Sequence, residues 1–173
     1  QMGENSNSVF IIGSPDMDVM NSNNLPSIKE VRERYEIKFD AFHIVLFHPV
    51  TTEINQLEQY AKNLVGALIE SKHNYVIIYP NNDMGSSIIL KEYERLKFLS
   101  NFKLFPSIRF EYFLTLMKFS KSVIGNSSAG IREAPFYGIP SINIGTRQNM
   151  RSIERSIVDI GYEKEEIKRA IQN

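Results

Sequence analysis

The sequence predicts an α/β protein built on a doubly wound, mostly parallel, Rossmann-like sheet. Short β-rich apolar runs alternate with helical patterns from one end of the 173-residue chain to the other, and such alternation demands crossover connections. Most runs are continuously apolar, without the every-second-residue pattern of a half-exposed strand, so they read as strands covered on both faces. A third observation is polar punctuation: His48, Asn81, Ser107 and the triplet Asn126-Ser127-Ser128 each follow a strand candidate. In an open sheet those turns share one edge, outside the carboxyl ends of the strands, where ligands bind.

The elements follow in order. Val9, Phe10, Ile11 and Ile12 form the first strand candidate, and residues 18–24 read as a loop by composition. Residues 26–35 read as a short helix with Pro26 near its start. A strand is expected over 43–47. Thr51 or Thr52 then caps a helix whose Ile54, Leu57, Ala61, Leu64, Val65 and Leu68 share one stripe. Residues 75–79 are the next strand, and a helix carrying Ile89, Tyr93 and Leu96 starts near Ser86. After a strand over 102–105, Ser107 caps a helix with Phe110, Phe113, Leu114 and Met117 inward. Strands over 122–124 and 141–144 flank a short helix, and the tail over 153–171 reads as helix broken at Gly161. There is no internal repeat or low-complexity tract.

Composition narrows the function. Apolar content of 42% and charge of 23% are ordinary for a globular chain, and the length favours one domain. Formal net charge is zero, which leaves no basic excess for a phosphate backbone, so no nucleic-acid partner is expected. Cysteine is absent, which excludes disulfides and fits a reducing, cytoplasmic setting. No apolar run approaches the ~20 residues that span a bilayer, and the polar start carries no signal peptide, so no membrane is expected. His48 has no partner at metal-ligand spacing; no metal or other cofactor is expected.

The densest chemistry lies between Ser122 and Gln148. Val123 and Ile124 lead into Gly125, after which Asn126, Ser127 and Ser128 stand where a helix begins. Free N–H groups collect there and make an anion site. Ser127 and Ser128 also suit plain N-caps, but capping and phosphate binding use the same geometry. Glu133, inside the same helix, is a solvated residue if taken alone; beside an anion site it suits a vicinal diol, and the pair fits a nucleoside diphosphate. His48 is either a structural turn histidine or a cleft histidine able to transfer a proton near neutral pH. Asn81 is either turn chemistry or a ligand contact, and Arg147 either a surface charge or a donor to a diphosphate. His43 and His73 read as structural or surface residues. A serine hydrolase elbow is excluded: Gly125-Asn126-Ser127-Ser128-Ala129-Gly130 is one residue too long, and no histidine follows His73.

The run from Gly125 to Arg151, including Ile131-Arg132-Glu133-Ala134-Pro135, closely resembles the signature of UDP-N-acetylglucosamine 2-epimerases, in their hydrolysing, sialic-acid-pathway branch. Phe47-His48-Pro49-Val50-Thr51-Thr52 and Tyr79-Pro80-Asn81-Asn82-Asp83-Met84-Gly85-Ser86 agree in order, and Gly13-Ser14-Pro15-Asp16 looks like the interdomain connection. The resemblance implies one half of a glycosyltransferase-B-like two-domain fold. Residues 1–24 would be the linker and first strand, and 25–173 the UDP-binding carboxyl-terminal domain; the amino-terminal domain is absent. It further implies that Ser127 and Ser128 contact the diphosphate and Glu133 the ribose. Gly13, Asn81 and Arg147 would help hold the nucleotide, the backbone near Ile108 would meet uracil, and catalytic His48 would sit near the sugar. UDP and a UDP-sugar are the implied ligands, and the full-length protein is expected to be a homo-oligomer. The implied reaction converts UDP-N-acetylglucosamine to N-acetylmannosamine and UDP by elimination then hydration, with the fragment inactive alone. The nucleotide half of a glycosyltransferase and a non-catalytic UDP-binding module remain the competing readings.

Overall fold

A computed structural model describes residues 3, 5–151 and 154–172. It contains helix α1 (Pro15–Met20), α2 (Ile28–Tyr35), strand β1 (His43–Leu46), α3 (Leu57–Ser71), β2 (Tyr75–Ile78), α4 (Ser86–Tyr93), β3 (Phe102–Phe105), α5 (Phe110–Lys118), β4 (Val123–Gly125), α6 (Glu133–Phe136), β5 (Ser141–Ile144), β6 (Ile157–Ile160) and α7 (Lys164–Gln172). The strands form one six-stranded sheet in the order β3-β2-β1-β4-β5-β6. Every neighbouring pair is parallel. The chain winds outward from β1 in one direction and from β4 in the other, so the order reverses between them. That reversal is the topological switch point, where open α/β sheets leave a crevice.

Both faces of the sheet are covered. On one face Val45, Phe47 and Ile77 pack with Ala61, Leu64, Leu68, Ile89 and Ile167, from α3, α4 and α7. On the other, Ile44, Leu46 and Val76 pack with Val31, Phe113, Leu116, Met117 and Ala134, from α2, α5 and α6. The continuous apolar character of the strands follows from this double coverage. Fully burying one such side chain contributes about 1.5–3 kcal/mol.

Helix α2 begins where Pro26 suggests: the Ser27 hydroxyl accepts from the Glu30 N–H at 3.2 Å. Prolines also help end the strands. Pro49, Pro80 and Pro106 follow β1, β2 and β3 within three residues; lacking an N–H, they cannot extend a ladder.

The structure corrects five local expectations. No strand forms over 9–12; this segment pairs with nothing in the sheet, and its four side chains are 57–100% exposed. Part of the expected 18–24 loop is helical, because Ser14-Pro15 starts α1, which runs to Met20. Neither Thr51 nor Thr52 caps α3; both lie in a 3-10 turn, Thr51–Gln56, that precedes it. Ser107 does not cap α5, because Arg109 stays extended at the N-cap position, and Phe110 faces outward at 37% exposure. The tail is not all helix. Residues 157–160 form β6, whose β-branched residues Ile157, Val158 and Ile160 find an edge to pair with on β5. The expected helix start at Ile153 lies outside the described residues.

Candidate functional site

The expected convergence of turns at one edge is present. A cleft of about 430 Å³ opens at the carboxyl ends of the strands, lined by His48, Asn81, Ser107, Ile108, Ser127 and Phe113 among others. These residues follow β1, β2, β3 and β4, so the parallel register itself assembles the site. His48 and Ser127 come from the two strands that flank the switch point.

His48 is buried at 6% exposure. Its main-chain N–H donates to Asn126 Oδ1 at 2.7 Å, and Asn126 Nδ2 donates back to the His48 carbonyl at 2.8 Å. Its ring Nδ1 accepts from the Asn81 N–H at 3.1 Å. Burial, then the nearby Arg147 guanidinium, pushes the imidazole from 6.5 down to about 4, with Asp83 opposing. The ring is therefore neutral at physiological pH before a ligand binds. This departs from the expectation of a histidine that titrates near neutrality, because burial, the larger cause, favours the uncharged ring.

The anion turn is tighter than the expected helix. Ser128–Gly130 is a single 3-10 turn with Ser127 at its N-cap, where the Ser127 hydroxyl accepts from the Ala129 N–H at 3.3 Å. Glu133 belongs to a separate four-residue helix, α6, and is its first residue. Pro135 and Gly138 keep that helix short. A three-residue turn has free N–H groups but little aligned dipole, so a bound anion here depends on nearby cations more than on a macrodipole. The Gly125 ahead of it is obligatory: its φ is +132°, and a Cβ would lie 2.0 Å from the Leu46 carbonyl oxygen.

Arg147 is the nearby cation. Its Nη1 donates to the Asn126 carbonyl at 3.1 Å, which holds it beside the turn after β4. Glu133 is buried at 7% exposure, and its Oε2 has no hydrogen-bond partner. Burial raises its pKa, with its own main-chain hydrogen bond and Arg132 opposing and Asp16 reinforcing the rise. A buried acceptor without a donor is suited to a hydroxyl from a ligand.

Of the expected site residues, His48, Asn81, Ile108 and Ser127 line the cleft. Ser128, Glu133 and Arg147 do not line it: Ser128 opens the turn after β4, Glu133 opens α6, and Arg147 bonds the Asn126 carbonyl. Gly13 is not brought to the cleft; it is exposed in the segment before α1 at φ +77°. That segment is nevertheless tied to the anion turn, because Arg132 Nη2 reaches both Ser14 Oγ and Asp16 Oδ2 at 3.2 Å. Sequence reasoning missed Gln148, which is buried at 3% exposure and donates to the Asn126 carbonyl at 2.9 Å. It also missed Glu53, whose carboxylate accepts from the Tyr162 hydroxyl at 2.6 Å and from Thr146. These bonds brace the Gly145-Thr146 turn that precedes Arg147. Glu53 lies outside the quoted motifs, and Gln148, although inside the Gly125–Arg151 run, has no turn or catalytic character of its own, so no residue type announces either.

Among the described residues no helix is long and apolar enough to cross a membrane. A family model described as UDP-N-acetylglucosamine 2-epimerase matches residues 1–173. A Neisseria meningitidis UDP-N-acetylglucosamine 2-epimerase is 53% identical over 175 residues, covering 99% of this chain and 45% of that protein. An Escherichia coli polysialic acid biosynthesis protein P7 is 34% identical, covering 99% of this chain and 44% of that protein. In fold, the chain resembles the Methanocaldococcus jannaschii UDP-GlcNAc 2-epimerase solved with UDP-GlcNAc and UDP. That match has a TM-score of 0.69 at 18% identity, over 99% of this chain and 49% of the other. The chain thus spans less than half the length of these curated relatives.

Proposed function

The chain belongs to the UDP-N-acetylglucosamine 2-epimerase family, and on that premise we propose that it is the UDP-binding half of a hydrolysing epimerase. The observation that carries this reading is the cleft at the β1/β4 switch point, where His48, Asn81, Ile108 and Ser127 converge, with Arg147 held at the Asn126 carbonyl. Ser127, Ser128 and Arg147 receive the diphosphate. The orphaned Oε2 of Glu133 accepts from the ribose diol, and the Ile108 main chain meets uracil. Asn81 helps to hold the nucleotide, and Gly13 acts as part of the connection between halves.

The proposed reaction is an elimination followed by a hydration. The C1–O bond to UDP breaks as the C2 proton leaves, giving a glycal and UDP. Water then adds across the double bond, and N-acetylmannosamine is released. Arg147 and the N–H groups after β4 stabilise charge on the departing diphosphate. His48 acts near the sugar. Removing the C2 proton needs further positioned acid–base groups, which this reading assigns to the amino-terminal half.

Residues 1–24 are read as linker to that half. Val9, Phe10, Ile11 and Ile12, at 57, 79, 100 and 85% exposure, form an apolar run that the other half would cover. Homo-oligomerisation and a cytoplasmic setting belong to the same reading. Proton NMR of UDP-N-acetylglucosamine turnover tests the reading. A two-domain chain carrying this half is expected to release N-acetylmannosamine, and the isolated chain is expected to release none. Transfer of the sugar to an acceptor by the two-domain chain, or sustained release by the isolated chain, contradicts it.

A further inference from the structure

The junction at Asn126 carries an inference about how the site is set. Asn126 has no exposure, and all of its polar groups are used. Its side chain clamps both main-chain groups of His48, at 2.7 and 2.8 Å. Its N–H donates to the Leu46 carbonyl at 3.0 Å. Its carbonyl accepts from Arg147 Nη1 at 3.1 Å and from Gln148 Nε2 at 2.9 Å. One residue therefore joins the turns after β1, β4 and β5. Only the N–H bond continues the β1–β4 ladder, whose register ends at Leu46 and Gly125; the side-chain and carbonyl bonds lie beyond what the sheet requires.

The consequence reaches the imidazole. With the His48 main chain held, ring Nδ1 meets the Asn81 N–H at 3.1 Å. A neutral imidazole that accepts at Nδ1 carries its proton on Nε2. Nε2 has no partner among the described residues, and the ring lines the cleft. We propose that Asn126 is a positioning residue: it fixes His48 as the Nε2–H tautomer and anchors Arg147 beside it, so that two donors face one anionic oxygen of the ligand. The nature of that ligand rests on the nucleotide reading above; the tautomer does not.

An aspartate at 126 keeps the shape and the acceptor for the His48 N–H, but it turns a lone pair toward the His48 carbonyl where an amide donates. The test is a long-range proton–nitrogen NMR spectrum of the uniformly 15N-labelled chain at pH 7, with His48 assigned by its loss in His48→Gln. The wild-type chain is expected to show one pyridine-type nitrogen, Nδ1, and one pyrrole-type nitrogen, Nε2. Asn126→Asp and Asn126→Ala are expected to show averaged tautomers and about tenfold weaker UDP binding by calorimetry, a loss equivalent to ~1.4 kcal/mol. Leu64→Ala loosens the core away from the site and is expected to change neither readout. A wild-type proton on Nδ1, or an unchanged His48 pattern in a folded Asn126→Asp chain, overturns the proposal. Unfolding of both variants also overturns it, because Asn126 would then be structural. If the variants lose the tautomer but no sample binds UDP, the positioning role stands and the nucleotide reading fails. If all samples bind UDP equally with the His48 pattern intact, the reverse holds.

Discussion

The two edges of the sheet each hold a histidine pushed down to about 4, yet only one edge is built as a site. At the amino edge, burial, then His73 and Lys121, depress His43. Its Nδ1 pairs with Ser122 Oγ at 2.8 Å, and its ring lies 5.1 Å from that of His73. At the carboxyl edge, burial and Arg147 do the same to His48. There His48 lines a cleft at the switch point, its main chain is clamped by Asn126, and Glu133, at the start of α6, carries an orphaned carboxylate oxygen. A low pKa therefore reports burial at both edges. Convergence of groups from several strand ends marks function at only one.

The comparison can be broken most severely at Gly125. Gly125→Val puts a side chain into the Leu46 carbonyl at a left-handed φ, and we expect loss of more than ~3 kcal/mol, read as a collapsed urea midpoint. At the opposite end of the same strand, Ser122→Ala removes one hydrogen bond to His43 and should cost only about 1 kcal/mol. Equal effects would mean that the carboxyl edge is no more tightly specified than the amino edge.

Next in size is catalysis in a two-domain protein. His48→Ala should lower kcat by ~100-fold or more, the range for a positioned acid–base group, whereas His43→Ala should leave kcat unchanged. Loss of kcat in both would erase the distinction between the edges.

Glu133→Gln sharpens the account through stability. Burial raises the Glu133 pKa, so its ionised form is penalised in the folded state. The wild-type chain therefore loses stability as pH rises through that pKa. The glutamine variant should melt higher than wild type at pH 7 to 8, and the gap should close on acidification below the ordinary carboxylate range. A variant that melts lower at pH 8 would show that the carboxylate is satisfied.

A last effect is one that the edges share. Both histidines stay neutral when folded down to about 4, whereas the unfolded chain takes up protons below 6.5. Stability should therefore fall as pH drops from 6.5 towards 4. His48→Gln and His43→Gln should each flatten part of that slope in urea titrations. Stability alone does not separate the edges; ligand binding does.

Much of this arrangement is legible in the sequence because local signals and topology agree. The apolar runs of β1 to β5, the proline punctuation and the Asn126-Ser127-Ser128 turn each have a local physical cause. The parallel order then brings their ends together without further information. What stays hidden depends on partners distant in sequence. β6 reads as helix because its strand character is expressed only beside β5. Residues 9–12 read as a strand because their composition is right, but nothing here pairs with them. Gln148 and Glu53 are ordinary polar residues until folding brings them against the Asn126 carbonyl and the Tyr162 hydroxyl. The single helix expected after Gly125 proves to be two short pieces, since Pro135 and Gly138 limit the second.

The most direct measurement is a calorimetric titration of UDP, with ADP as control, into this chain and into its Glu133→Ala variant. The account predicts UDP-selective binding that weakens about tenfold or more in the variant, roughly 1.4 kcal/mol. Equal affinity for UDP and ADP, or UDP binding untouched by loss of the Glu133 carboxylate, would contradict it.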